Sequence, residues 1–80
     1  MVVSGIVVAC RPGHIASLSE QIDALPWGEV HHCDPNGRLV VVIEAEDTEE
    51  SMARLKHVRA LPHVLMAELG AYYLDQAAEG

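Results

Sequence analysis

Eighty residues, half of them hydrophobic but with only Trp27, Tyr72 and Tyr73 aromatic, describe one domain with a thin aliphatic core rather than a deep, multilayered active site. Twelve Asp plus Glu against five Lys plus Arg give a formal net charge of -7, which argues against nucleic acid or an anionic membrane as partner and favours a cationic one. The first apolar stretch, Val2 to Cys10, is too short and too interrupted by Ser4 and Gly5 to span a bilayer and lacks the basic start of a signal peptide, so a cytoplasmic chain is expected.

Val2 to Cys10 is rich in β-branched residues and reads as a central strand, broken by Arg11-Pro12-Gly13. Ile15, Leu18, Ile22 and Leu25 follow at helical spacing, with Ser17, Glu20, Gln21 and Asp23 between them, and Pro26 ends that helix. Glu29 to Cys33 is a short polar edge strand, and Asp34-Pro35-Asn36-Gly37 is a hairpin turn whose Asn-Gly tolerates positive φ. Leu39 to Ile43 is the strongest strand signal in the chain. Asp47 with Glu50 three residues later predicts a capped second helix, its apolar face marked by Met52, Leu55, Val58 and Leu61. Pro62 stops it, and the last strand starts at Val64 and frays after Tyr73. One domain over residues 1–74 with a flexible tail over 75–80 is expected.

Ala24-Leu25-Pro26 recurs as Ala60-Leu61-Pro62, each copy closing a helix and opening a strand. A doubled βαβ unit in so short a chain gives the order βαββαβ, a ferredoxin-like α+β fold: a four-stranded antiparallel sheet with two helices on one face. Right-handed crossovers put the first and third strands in the middle and leave the other sheet face uncovered.

Strand alternation assigns that face, because a lone carboxylate is not readily buried among aliphatics. Glu44 and Glu68 must look outward. They carry Val40 and Val42, and Val64 and Met66, out with them, and leave Leu39, Val41, Ile43, Leu65, Ala67 and Leu69 under the helices. Placing the bulkier Ile6, Val8 and Cys10 in the core leaves Gly5, Val7 and Ala9 outside. The expected site is thus a shallow apolar trough of Val7, Ala9, Val40, Val42 and Met66 flanked by Glu44 and Glu68. A basic amphipathic helix would fit it. So would a second copy, stacking sheet on sheet in a homodimer.

Cys10 and Cys33 lack a Cys-x-x-Cys spacing and read as reduced thiols rather than a disulfide framework or zinc knuckle. His31 and His32, adjacent in a strand, point to opposite faces and cannot easily share an ion, so no metal site is expected. No nucleophile–base pairing and no Gly-rich phosphate loop stands in the sequence, which argues against an enzyme. A homodimeric regulatory domain binding a small molecule or metal ion remains the alternative.

Ile6-Val7-Val8, Asp23-Ala24-Leu25-Pro26, the long run Gly37-Arg38-Leu39-Val40-Val41-Val42-Ile43-Glu44-Ala45-Glu46-Asp47, Val58-Arg59 and Val64-Leu65-Met66-Ala67 together resemble the NapD family, small cytoplasmic chaperones of periplasmic nitrate reductase. The resemblance covers nearly the whole chain and is most specific in the run ending Glu44-Ala45-Glu46-Asp47; the pair His31-His32 is not part of it. It implies a protein, monomeric when free, that holds the twin-arginine (Tat) signal peptide of the catalytic subunit as a helix. Export would then wait for insertion of the molybdenum cofactor, which the chaperone itself does not bind, so no cofactor is expected here.

Overall fold

Stretches rich in β-branched residues build the two strands at the centre of the sheet in the computed structural model, which describes residues 1–70. The elements are β1 (Val2–Cys10), a single 3-10 turn (Pro12–His14), α1 (Ile15–Asp23), β2 (Gly28–Asp34), β3 (Arg38–Ala45), α2 (Thr48–Arg59) and β4 (Val64–Leu69). The strands lie in the order β2-β3-β1-β4, every neighbouring pair antiparallel, as the expected ferredoxin-like α+β fold requires. The expected fraying after Tyr73, the boundary at residue 74 and the tail over 75–80 lie outside the described residues.

One aliphatic core forms between the sheet and the helices. Ile6, Val8 and Cys10 of β1 and Leu39, Val41 and Ile43 of β3 meet Leu18 and Ile22 of α1 and Leu55 and Val58 of α2, all buried. Each large aliphatic side chain removed from water contributes about 1.5–3 kcal/mol, so these few contacts carry most of the stability.

The repeated Ala-Leu-Pro has a repeated backbone. In the first copy the Leu25 N–H donates to the Ile22 carbonyl and the Gly28 N–H to the Leu25 carbonyl; in the second, Leu61 donates to Val58 and Val64 to Leu61. The next residue of each copy then ties the helix exit to the end of a central strand. The Trp27 carbonyl accepts from the Glu44 N–H at 2.9 Å, and the His63 carbonyl from the Arg11 N–H at 3.4 Å. Proline supplies the common stop, because it cannot extend a helix.

Helix α2 begins as expected: the Asp47 carboxylate accepts from the Glu50 N–H at 2.8 Å, and the Glu50 carboxylate accepts from the Glu46 N–H at 2.7 Å. Its buried face is rotated from the expected one. Met52 is 47% exposed, and Ser51 faces the core instead, its hydroxyl 3.2 Å from that of Ser4. At the hairpin, Gly37 has φ +103°, and a Cβ there would stand 2.5 Å from the Cys10 carbonyl oxygen, so the position demands glycine.

Strand β4 departs from simple alternation. Its register with β1 shifts between Ala9 and Cys10, where Val64 pairs with Cys10 and Met66 with Ala9. Leu65 is the extra residue. The bulge turns Val64, expected on the open face, toward the core it packs against, and leaves Leu65, expected inside, 62% exposed. Leu69, also expected inside, is 54% exposed at the edge of the sheet opposite Ile6; of the three residues expected inside on this strand, only Ala67 is buried.

Candidate functional site

Directly paired residues of neighbouring strands share a face, so the register maps the uncovered side of the sheet row by row. Glu44 of β3 stands opposite Val3 of β1. The next row is Glu29, Val42 and Gly5; the third is His32, Val40, Val7 and Glu68; the fourth is Asp34, Arg38, Ala9 and Met66. All seven residues expected at the site, Val7, Ala9, Val40, Val42, Glu44, Met66 and Glu68, therefore lie on one face. Val7, Ala9, Val40 and Met66 are half-buried, Val42 is buried at 8% exposure, and Glu44 and Glu68 are exposed.

The same rows bring in four polar residues beyond the seven expected: Glu29, His32, Asp34 and Arg38. A second register shift, between Val30 and His32, leaves His31 as the extra residue of β2 and puts His32 and Asp34 on the face with Glu29. The Asn36-Gly37 turn could have revealed Asp34 and Arg38, since the hairpin closes with those two residues paired. Nothing in the sequence marks the bulge at His31.

Glu44 and Glu68 are far apart. Their β1 partners, Val3 and Val7, are four positions apart, and β3 and β4 flank β1 on opposite sides, so the two backbones lie roughly 17 Å apart. Glu29, paired with Val42, is the diagonal neighbour of Glu44, a separation of about 7–8 Å. Both carboxylates line one surface depression of about 400 Å³, together with Asp23, Trp27 and Val42.

The backbone of Glu44 is fixed from two directions. Its N–H donates to the Trp27 carbonyl, and its own carbonyl accepts from the Arg54 guanidinium of α2. Arg54 also pairs with Glu50 at 3.4 Å and lies 5.2 Å from the centre of the Trp27 ring, which His57 meets edge-on. Trp27, the single tryptophan of the chain, therefore reports on the surroundings of Glu44.

Among the described residues no three His, Cys, Asp or Glu side chains converge to hold a metal ion. His14 and His63 stack with ring centroids 3.5 Å apart and planes 8° from parallel. An ion shared by both would have to lie in two planes that do not meet nearby. Burial pushes the Cys10 thiol above its ordinary pKa, while Cys33 is exposed. Among the described residues no helix is long and apolar enough to cross a membrane.

The family model described as NapD protein matches residues 1–76. The chain belongs to the NapD family. It is 35% identical to Chaperone NapD of Escherichia coli (strain K12) over 78 residues, 96% of this chain and 90% of that protein. Chaperone NapD of Shigella flexneri matches to the same extent. The solution structure of the E. coli Tat proofreading chaperone protein NapD superposes with a TM-score of 0.80 at 37% identity, covering 90% of this chain and 76% of the other. NapD membership favours a chaperone over the homodimeric regulatory domain that the sequence left open.

Proposed function

We propose that this chain is a cytoplasmic chaperone that binds the twin-arginine signal peptide of the periplasmic nitrate reductase catalytic subunit and holds back its export until the molybdenum cofactor has been inserted. The observation that carries this reading is the open sheet face, an apolar floor with carboxylates at its margins on a protein of net charge -7. A twin-arginine signal offers paired guanidiniums followed by an apolar helix. Val7, Ala9, Val40, Val42 and Met66 receive the apolar side, and Glu44 and Glu68 receive the arginines. Arg engages carboxylates bidentately, which favours it over Lys at such a surface. Glu44 and Glu68 are too far apart to share one guanidinium, so each takes its own.

Apolar burial supplies most of the affinity in this arrangement, and charge supplies specificity and speed of encounter. Each exposed ion pair is worth about 0.2–1 kcal/mol. Titration of a synthetic twin-arginine peptide, followed by Trp27 fluorescence, is expected to saturate at one peptide per chain. The Glu44→Gln, Glu68→Gln double variant is expected to bind roughly 2- to 30-fold more weakly at low salt, with the difference shrinking as salt rises. Unchanged affinity at low salt would remove the carboxylates from the site.

A further inference from the structure

The open face is electrostatically polar along the strands. At the end where β1 begins, Glu44 and Glu29 sit within two rows of one another and line a single depression. Glu68 stands in the third row, on β4. At the opposite end the fourth row carries Arg38, exposed, with no carboxylate within 4 Å of its guanidinium among the described residues. Its cross-strand neighbour Asp34 is turned to the hairpin, where its carboxylate accepts from the Asn36 N–H at 2.8 Å. Between the two ends runs the apolar floor from Val42 and Val7 to Ala9 and Met66.

A bound helix has its own polarity: a partial positive charge at its N-terminus and a partial negative charge at its C-terminus. A twin-arginine segment adds two full positive charges ahead of its apolar stretch, so side-chain and backbone charges reinforce each other. We infer that the peptide helix lies in one direction only, with one N-terminal arginine over Glu44 beside Glu29, the other reaching across to Glu68, and its C-terminal end toward Arg38. This rests on the reading of the open face as the signal-peptide site and adds Glu29 and Arg38 to it as the residues that set direction. In the reverse direction the arginines would stand beside Arg38. A reversed helix carrying its arginines at the C-terminus could place them over Glu44, but its positive N-terminus would then meet Arg38. From Val3 to Ala9 the face is roughly 20 Å long, which accommodates about 13 helical residues, enough for the arginine pair and the apolar turns after it.

The test uses the full chain, labelled with ¹⁵N, and a synthetic twin-arginine peptide carrying a nitroxide at one end or the other. The N-terminal label is expected to broaden the amide signals of Val3, Glu29 and Glu44, and the C-terminal label those of Ala9, Arg38 and Met66. The opposite pattern, or equal broadening at both ends by either label, would overturn the inferred direction while leaving the site in place. Broadening confined to α1 and α2, or no saturable binding at all, would overturn the site and the direction with it. A peptide of reversed residue order is expected to bind about two- to fivefold more weakly than the natural order, and Arg38→Glu to narrow that gap. An unchanged gap in Arg38→Glu would remove Arg38 from the role.

Discussion

Single side chains behave here according to which face of a strand they occupy. Cys10 and Cys33 are both free, but Cys10 is 3% exposed in the core and Cys33 is exposed on the edge strand. The sequence showed two unpaired thiols; only packing separates them. An alkylating reagent is expected to modify Cys33 alone in the folded protein, which peptide mass mapping checks, and to reach Cys10 only on unfolding. Because burial raises the Cys10 pKa, the unfolded chain releases that proton more readily than the folded one. The contribution of the neutral thiol is therefore fully present below the ordinary thiol value, about 8.5, and is lost as the pH rises through the folded value. Urea unfolding at pH 8 and pH 10 is expected to show a larger loss of stability for the wild type than for Cys10→Ala. Equal losses would mean that the thiol does not titrate differently in the two states.

At the scale of elements, local chemistry was legible wherever a residue acts on its own neighbours. Asp47 and Glu50 cap α2 within their own turn, and Lys56, His57 and Arg59 complement its C-terminal end, so the start and stop of this helix follow from sequence. Asp47→Ala is expected to cost about 1 kcal/mol, seen as a lower unfolding midpoint in denaturant. A loss confined to peptide binding, with stability unchanged, would contradict its role as a cap. Strand faces were legible only while alternation persisted. The bulges at Leu65 and His31 each insert one residue and reverse the assignment beyond it, which is why Val64 faces the core and His32 joins the open face. A bulge depends on how two strands pair, and neither strand announces it alone. The rotation of α2 that exposes Met52 and buries Ser51 is likewise seen only in the folded chain, where the Ser51 hydroxyl meets that of Ser4, distant in sequence.

For the whole molecule, the sheet separates the core from the proposed peptide surface. Adjacent positions on β3 point to different sides: Val41 lies in the core at 0% exposure, while Val40 is half-buried on the open face. Val40→Asp is expected to keep the unfolding midpoint within a few degrees of the wild type and to abolish peptide binding. Val41→Asp, which buries an unpaired carboxylate, is expected to prevent folding. Thermal unfolding by circular dichroism alongside the Trp27 titration distinguishes the two effects, and retained binding by a folded Val40→Asp variant would move the site off the sheet. Sequence by itself determined the βαββαβ order, the doubled helix exits at Ala24-Leu25-Pro26 and Ala60-Leu61-Pro62, the aliphatic core and the existence of an apolar face edged with acid, because each rests on periodicity or on residues close in the chain. Only the tertiary structure decided which carboxylates stand together. Glu29 and Glu44 become neighbours, Glu68 is set apart and Arg38 marks the far end through cross-strand register, and register is fixed by pairing between residues distant in sequence.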